Sequence, residues 1–430
     1  MERWPALPEV PVAGAADPVN PSARKLLHAA SVFPSNSNRL ALQCDYARDG
    51  WSIALLHLAA RPQDVEGELQ GIDEIHILPH VPRHRTEVNY LMRRLRSLVR
   101  RVVNTLALCV KLIRSDADVM HAHENSSLWP LAFWVLALRR PAVWDPHDYF
   151  HEPAGNDGDS SRLSMLKSLE RKIVRRRTPI LAVSDGMKEK YANLYPDASI
   201  AVIRNYSSTR NSQPVEPYDA DTAATGLIAE RDRMGRGMLR LVYPGLIKRE
   251  RFTLDLVRVL GNLDGLSLDI YGEDRSGLAA HHSALERTLV DHGIDNVHLR
   301  GPYTSDGIVS ILRQYHFAIF PYERSHPNID FCLPNKFYQC VEAGLPLVTT
   351  DMKEMGGIIR QHGLGYVFPS GDNEACADIL QGLSVDSDDY LDLVRNVLAY
   401  QATQVDYEQQ RAALLDTYTR GQSAKPVSVR

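Results

Sequence analysis

The stretch CLPNKFYQCVEAGLPLVTTD, residues 332–351, predicts a loop, a helix, a tight turn and a strand in succession. Pro334 and Asn335 break the chain and cap the helix start, and apolar residues then recur at helical spacing. Gly344 and Pro346 end the helix before the strand LVTT. A helix with Lys336 in its first turn attracts anions, because its free N–H groups and its dipole face whatever lies in front. The stretch therefore predicts an α/β unit with an anion site, the alternative being a capped helix with a solvated lysine.

The same alternation of short apolar strands and helical segments runs through most of the chain and predicts two doubly wound α/β domains facing a central cleft. In such open sheets, ligands bind at the carboxyl ends of the strands. We expect a disordered tail at 1–24, a first Rossmann-like domain at 25–207, a linker at 208–237 and a second Rossmann-like domain at 238–388. Helices follow at 389–420, for which a return to the first domain is one option, and 421–430 form a disordered tail.

Composition narrows the class of protein. The 430 residues are 44% hydrophobic and 24% charged, as in soluble globular proteins. Five scattered cysteines without a CxxC motif favour a reducing, cytoplasmic location. The most apolar run, 128–138, is too short to span a bilayer. The formal net charge of −4 and the lack of interleaved basic and aromatic residues argue against a nucleic-acid partner.

In the second domain, polar or flexible residues follow four predicted strands in turn. Together they favour an anionic nucleotide ligand, since cations, free amides and glycines at strand ends are the groups that hold phosphates. The candidate residues for binding this ligand are Gly245, Lys248, Arg251, Gly272, Glu273, Tyr322, Asn335, Lys336 and Gln339.

In the first domain, His147 and Asp148 lie just past a predicted strand end. Transfer to a hydroxyl needs a base near the acceptor, and both residues are candidates for catalysis. The alternative is a loop that only hydrogen-bonds to itself.

No metal site is predicted. His121 and His123 share one face of a strand, but zinc needs further ligands at suitable spacing and none is evident. The sequence Asp116-Ala-Asp118 imitates a metal-binding DxD motif, yet it precedes a strand and is predicted to be a loop.

A long helix is predicted from about residue 86 to 115. Its apolar stripe is Leu95, Val99, Val102, Leu106, Val110 and Ile113. Arg93, Arg96, Arg100 and Arg101 lie largely elsewhere on its surface and are candidates for contact with an anionic membrane or an acceptor. The alternative is a solvated basic face.

The order and spacing of several motifs resemble the GT-B glycosyltransferases, especially the family 4 group. The motifs are DADVMHAHE (116–124), WDPHDYF (144–150), AVSDGM (182–187), VIRNY (202–206), YPGLIKRERF (243–252), LDIYGE (268–273), FAIFPY (317–322) and the opening stretch. The resemblance implies that a nucleotide-sugar donor binds the second domain, where the candidate ligand-binding residues become donor-binding residues, and that an acceptor binds the first domain. It also implies no metal or other cofactor for catalysis. In an inverting reaction Asp148 would take the acceptor proton, and in a retaining one His147 would hold the sugar. Arg251 falls where the family places a basic residue on the donor diphosphate.

Two departures from the family pattern concern the donor site. Leu246 stands where many members have arginine, and Phe331 and Gln339 stand where many retaining members have two glutamates. A lysine followed three residues later by glutamine is instead similar to the inverting xanthan-type glucuronosyltransferases. That similarity implies Lys336 on phosphate, Gln339 on the nucleotide and Asp148 near the catalytic base.

The sequence thus predicts a hexosyl- or glucuronosyltransferase that moves a sugar from a UDP-sugar to a lipid-linked or polysaccharide-precursor hydroxyl in cell-surface glycan synthesis. We expect it in the cytoplasm, peripheral to the inner face of the plasma membrane. Two alternatives remain: a nucleotide-sugar epimerase, and a catalytically silent GT-B subunit that scaffolds a membrane complex.

Overall fold

The computed structural model describes residues 24–31, 37–48, 50–58, 72–77, 90–152, 160–206, 220–234, 237–272, 279–303 and 307–423, with the side chains of 38, 90–101, 160, 220, 279, 280 and 423 outside this description. The chain forms two compact units. The first comprises Met1–Val183, Met187–Arg204 and Glu408–Arg430, and the second comprises Ser184–Gly186 and Asn205–Tyr407.

The first unit contains a parallel sheet of seven short, largely buried strands. They are β1 Arg24–Ala30, β2 Trp51–His57, β3 Glu74–Ile77, β4 Val119–His123, β5 Ala142–Asp145, β6 Ile180–Ala182 and β7 Ile200–Val202. Their order across the sheet is β3-β2-β1-β4-β5-β6-β7.

The second unit contains a parallel sheet of six strands. They are β8 Leu239–Pro244, β9 Leu266–Tyr271, β10 Val297–Gly301, β11 Phe317–Phe320, β12 Leu347–Thr350 and β13 Gly365–Phe368. Their order is β10-β9-β8-β11-β12-β13. The predicted pair of doubly wound α/β domains is confirmed.

Helices connect the strands of both sheets. Those of the first unit are α1 Asn38–Ala47, α2 Tyr90–Arg114, α3 Leu128–Ala132, α4 Ser160–Val174, α5 Asp185–Leu194 and, at the end of the chain, α15 Tyr407–Ser423. Those of the second are α6 Ala220–Met234, α7 Leu254–Gly261, α8 Ala279–Asp291, α9 Ile308–Leu312, α10 Pro327–Asp330, α11 Asn335–Glu342, α12 Met355–His362, α13 Asn373–Gln381 and α14 Asp388–Gln404.

The strand order locates a switch point in each sheet. Successive strands are first added on one side of β1 and then on the other. The order of the strands therefore reverses between the neighbours β1 and β4, and likewise between β8 and β11. Ligands of doubly wound sheets bind beside such a switch point, outside the carboxyl ends of the strands. The residues that follow β1, β4, β8 and β11 are therefore the main candidates for ligand binding.

Several predicted boundaries differ from those observed. The predicted linker at 208–237 contains helix α6, whose Arg231 is fully buried. Strand β1 starts at Arg24 and α15 runs to Ser423, so both predicted tails were too long, and the rest of each tail lies outside the described residues. Strand β3 was missed because its four residues, EIHI, are too few to show a pattern.

Helix α2 packs on the core with a different face from its predicted stripe. Leu112 is fully buried and Leu108 packs against the core, whereas Val102, Leu106, Val110 and Ile113 are between 43% and 60% exposed. This helix therefore carries an apolar stripe on its outer surface. Among the described residues, no helix is both long and apolar enough to cross a membrane.

Candidate functional site

Two side chains meet at the switch point of the first sheet. Ser31 directly follows β1 and Glu124 directly follows β4. The Ser31 hydroxyl donates to Oε2 of Glu124 over 2.6 Å. The Glu124 N–H donates to the Asp145 carbonyl at the end of β5, over 2.9 Å. Glu124 is thus held from two neighbouring strands.

Three buried histidines lie behind this point. His28 of β1 pairs with His121 of β4 in the strand register, and His123 lies two residues further along the same face. The His121 and His123 rings stack with centroids 4.1 Å apart, and Nδ1 of His28 lies 2.8 Å from Nε2 of His123. The Tyr418 hydroxyl of α15 lies 2.9 Å from Nδ1 of His121. All these side chains belong to one network without access to solvent.

Asp145 carries the negative charge of this network. Nε and Nη2 of Arg39 donate to its two carboxylate oxygens over 2.8 and 3.0 Å, and the Gln43 amide donates over 2.8 Å. Burial opposes ionisation, but Arg39 and the nearby histidines hold the pKa of Asp145 well below its usual range. The carboxylate is therefore charged at neutral pH.

His147 joins the network from the loop after β5. Its Nε2 lies 3.2 Å from Nδ1 of His123 and 3.8 Å from Oδ2 of Asp145, and its Nδ1 lies 3.9 Å from Oε1 of Glu124. His147 and Glu124 both have left-handed backbone angles, with φ of 60° and 58°. Such strain costs on the order of 1–3 kcal/mol per residue and concentrates at functional sites.

The two candidate catalytic residues of the loop have different surroundings. His147 is 18% exposed and belongs to the network. Asp148 is exposed, and its carboxylate has no hydrogen bond or ion pair among the described residues. The loop itself is anchored further on, where His151 bonds to Glu170, a buried carboxylate that also accepts from Trp144 over 2.9 Å.

The expectation that His121 and His123 lack further metal ligands is wrong. His28 lies beside both, and a second group of possible ligands is His123, Asp145 and His147. In the structure, however, the facing atoms of these groups bond to one another, and Asp145 is already neutralised by Arg39. The donor set is better explained as a hydrogen-bonded network than as a cation site.

At the switch point of the second sheet, Arg251 follows β8 and Tyr322 follows β11. The Arg251 Cζ lies 5.4 Å from the centre of the fully buried Tyr322 ring. No carboxylate within salt-bridge distance and no hydrogen-bond acceptor partners this guanidinium among the described residues, although burial desolvates it. A desolvated cation without a counter-ion is suited to an anionic ligand.

Helix α11 supplies the other polar groups. It begins at Asn335, and Pro334 before it provides no side-chain cap, so the predicted cap at Asn335 is wrong and the first N–H groups are left without one. Lys336 lies with its ammonium 5.8 Å from the Tyr303 ring centre. Gln339 is buried, and its Oε1 has no hydrogen-bond donor among the described residues.

The remaining donor candidates have mixed outcomes. Gly245 and Gly272 follow β8 and β9, and a Cβ on Gly272 would lie 1.7 Å from the Gly245 carbonyl oxygen. Their packing against each other explains the glycine at position 272 without a ligand. The Lys248 ammonium lies 4.0 Å from Glu250. Glu273 lies outside the described residues, as do the side chains of Arg93, Arg96, Arg100 and Arg101.

Most of the first unit's network was missed from the sequence. His28, Arg39, Glu124, Asp145 and Tyr418 were not among the candidate site residues. One signal was available, since Glu124 follows a buried strand directly and Asp145 ends the next one along the chain. Nothing local in the sequence connects His28 or Tyr418 with them.

Two family models match the chain. The description "Glycosyl transferase 4-like domain" matches residues 39–206, and "Glycosyl transferases group 1" matches residues 241–386. A search of curated protein sequences gave no match. Neither model bears on the similarity to xanthan-type enzymes, which stays a prediction.

Solved glycosyltransferase structures share the fold. Anabaena Alr3699/HepE in complex with UDP has a TM-score of 0.66 at 14% identity, covering 92% of this chain and 99% of that one. Sucrose-phosphate synthase from Thermosynechococcus elongatus has a TM-score of 0.66 at 14% identity, covering 92% and 98%. WaaG, a glycosyltransferase involved in lipopolysaccharide biosynthesis, has 0.59 at 12%, covering 90% and 98%. With both domain models matched in order on this fold, the chain belongs to the GT-B glycosyltransferases.

Proposed function

We propose that this chain transfers a hexosyl or glucuronosyl group from a UDP-sugar to a hydroxyl of a lipid-linked or polysaccharide-precursor acceptor. The donor binds at the switch point of the second sheet and the acceptor at that of the first. One observation carries the proposal: the desolvated Arg251 guanidinium has no anionic partner among the described residues. A donor diphosphate supplies that anion.

The chemistry of the donor site supports transfer. The leaving diphosphate gains charge as its bond to the sugar breaks, and fixed cations stabilise that charge. Arg251, Lys336 and the uncapped N-terminus of α11 supply positive charge, so we propose that no metal is required. We assign the unpaired Oε1 of Gln339 to the nucleoside, whose N–H and hydroxyl groups are donors. Bound UDP in the structurally similar HepE supports the choice of uracil as the nucleobase of the donor.

The outer stripe of α2 supports a lipid-linked acceptor. Val102, Leu106, Val110 and Ile113 expose apolar surface on a helix whose sequence includes five arginines between residues 93 and 101. An apolar stripe on a basic helix binds anionic bilayers in the plane of the interface. We therefore propose a peripheral position on the inner face of the plasma membrane, in cell-surface glycan synthesis.

The donor assignment is tested by titration calorimetry with UDP, GDP and ADP. We expect UDP to bind best, and Arg251→Ala and Lys336→Ala each to weaken it at least tenfold. Arg258→Ala is the matched control, because this exposed arginine is already paired with Asp255 over 2.6 Å. Binding of no nucleotide would favour a silent subunit, and release of an altered UDP-sugar without transfer would favour an epimerase.

The membrane assignment is tested by co-sedimentation with vesicles of phosphatidylglycerol and phosphatidylcholine. The double variant Leu106→Asp, Val110→Asp should lose binding, since it places two charges in the apolar stripe. Val290→Asp is the control, because Val290 is 79% exposed but belongs to the second unit. Equal binding by the double variant and the wild type would exclude α2 as the membrane-binding surface.

A further inference from the structure

We propose that Glu124 is the base that takes the proton from the acceptor hydroxyl, and that His147 holds the oxygen of that hydroxyl. The assignment rests on the proposed function and names the groups that carry it out. Glu124 thereby replaces Asp148, which the sequence analysis proposed as the base.

The carboxylate of Glu124 is held with one oxygen free. Ser31 donates to Oε2 over 2.6 Å, and the Glu124 backbone is tied to the end of β5. Oε1 has no hydrogen-bond donor among the described residues, its nearest recorded polar neighbour being Nδ1 of His147 at 3.9 Å. The side chain is 34% exposed, so a substrate can reach it. Asp148 has no comparable support.

The facing atoms of Glu124 and His147 can be bridged by one hydroxyl group. A separation of 3.9 Å is too long for a direct hydrogen bond. An oxygen that bridges the two atoms from about 2 Å to one side of the line that joins them lies within ordinary hydrogen-bond distance, about 2.8 Å, of both. Such a hydroxyl donates to Oε1 of Glu124 and accepts from Nδ1–H of His147.

The buried histidines favour the tautomer that this arrangement needs. If each ring carries its proton on Nδ1, His28 donates to His123, His123 donates to Nε2 of His147, and the Nδ1–H of His147 faces Glu124. This assignment leaves Nε2 of His28, which has no partner among the described residues, as an unpaired acceptor. The opposite direction would bury an unpaired donor, which is rarer in folded proteins.

The proposed step is an inverting displacement. The acceptor O–H bond breaks and its proton passes to Oε1 of Glu124. The acceptor oxygen forms a bond to the anomeric carbon of the sugar. The bond from that carbon to the β-phosphate oxygen breaks, and UDP leaves with the electron pair.

The test measures UDP release from UDP-glucose, UDP-galactose and UDP-glucuronate with water as acceptor, alongside UDP affinity. Glu124→Gln should lower kcat at least 100-fold, as loss of a general base does, with the Kd for UDP within about twofold of wild type. Glu152→Gln is the matched control, since this carboxylate follows the neighbouring strand β5 and is paired with Lys190 over 3.0 Å. It should keep wild-type kcat.

A second readout separates a base from a structural residue. Glu124→Ala leaves room for a small carboxylate, and formate should restore at least a tenth of the lost rate. His147→Asn should lower kcat for UDP release and should not respond to formate. A folded Glu124→Ala protein that binds UDP and gains nothing from formate overturns the assignment.

The experiment distinguishes a wrong assignment of the base from a wrong proposed function. A greater loss of kcat in Asp148→Asn than in Glu124→Gln overturns the assignment of the base and leaves the proposed function in place. A wild-type chain that binds no UDP and consumes none of the three donors overturns both.

Discussion

Arg231 shows how much one buried side chain can stabilise in the second unit. Its guanidinium donates to the carbonyls of Arg313, Ala343 and Gly344 and to the Tyr390 hydroxyl, at 3.0 to 3.2 Å. These carbonyls lie at the ends of α9 and α11, where the last groups of a helix lack partners. This single arginine therefore supplies hydrogen-bond donors to the carbonyls at the ends of both helices.

We expect Arg231→Met to lower the free energy of unfolding by about 3 kcal/mol, because buried carbonyls lose their donors. Arg233→Met on the same helix is the control. Arg233 is exposed and, within the part of the chain that the structure describes, bonds only within α6, so its loss should cost less than about 0.5 kcal/mol. Urea unfolding followed by circular dichroism measures both, and equal midpoints would contradict the argument.

Gly272 is required for a steric reason. Any Cβ there would overlap the Gly245 carbonyl oxygen at the carboxyl end of β8, beside the proposed donor site. We expect Gly272→Ala to separate the two strand ends, lower the melting temperature by several degrees and weaken UDP binding. Gly226→Ala is the control, because nothing lies within 4 Å of its Cβ position and alanine favours helix α6. A Gly272→Ala protein with native melting temperature and affinity would contradict this reasoning.

At the scale of elements, the histidines at the ends of β1 and β4 and after β5 make the stability of the first unit depend on pH. Burial lowers the pKa values of His28 and His123 well below their usual range and lowers those of His121 and His147. Below about pH 6.5, the ordinary histidine value, the unfolded chain binds protons that the folded chain does not. The free energy of unfolding is therefore at its full value above that pH and falls as the pH drops through it.

The expected slope is up to about 1.4 kcal/mol per pH unit for each such histidine. We predict a lower urea midpoint for the first unit at about pH 5.5 than at about pH 7.5, on either side of the ordinary histidine value. A His28→Asn variant should show a shallower dependence, because one proton fewer is taken up on unfolding. An unchanged midpoint between the two pH values would mean that these rings are charged in the folded chain.

Elements that continue a local pattern were predictable from sequence, whereas pairings over long distances were not. The bounds of β12 agree with the predicted strand LVTT because an apolar run after the turn at Gly344 defines them. The donor candidates, which stay predictions, came from the same local pattern, since they lie in the segments that follow strands. His28 and Arg39 meet Asp145 only through the strand order, which one sequence does not reveal. The face of α2 that packs on the core was equally beyond reach, because the helix has apolar residues on two sides.

At the scale of the whole molecule, the end of the chain belongs to its first unit. Residues Glu408–Arg430 group with the first unit, and Tyr418 of α15 is fully buried there. Besides the bond between Tyr418 and His121, the Gln410 amide oxygen accepts from the Arg204 N–H over 2.7 Å. Helix α15 thereby completes the network behind the proposed acceptor site.

Removal of α15 should therefore affect the two units differently. A chain truncated after Gln404 loses the Tyr418 hydroxyl and uncovers the buried histidines, which lose both a hydrogen bond and their apolar cover. We expect calorimetry to show a lower or missing unfolding transition for the first unit, with UDP binding by the second unit retained. Truncation after Ser423 is the control, because it keeps all of α15. If both truncated chains unfold like the full chain, α15 does not stabilise the first unit; if the shorter one also loses UDP affinity, its effect extends to the donor site.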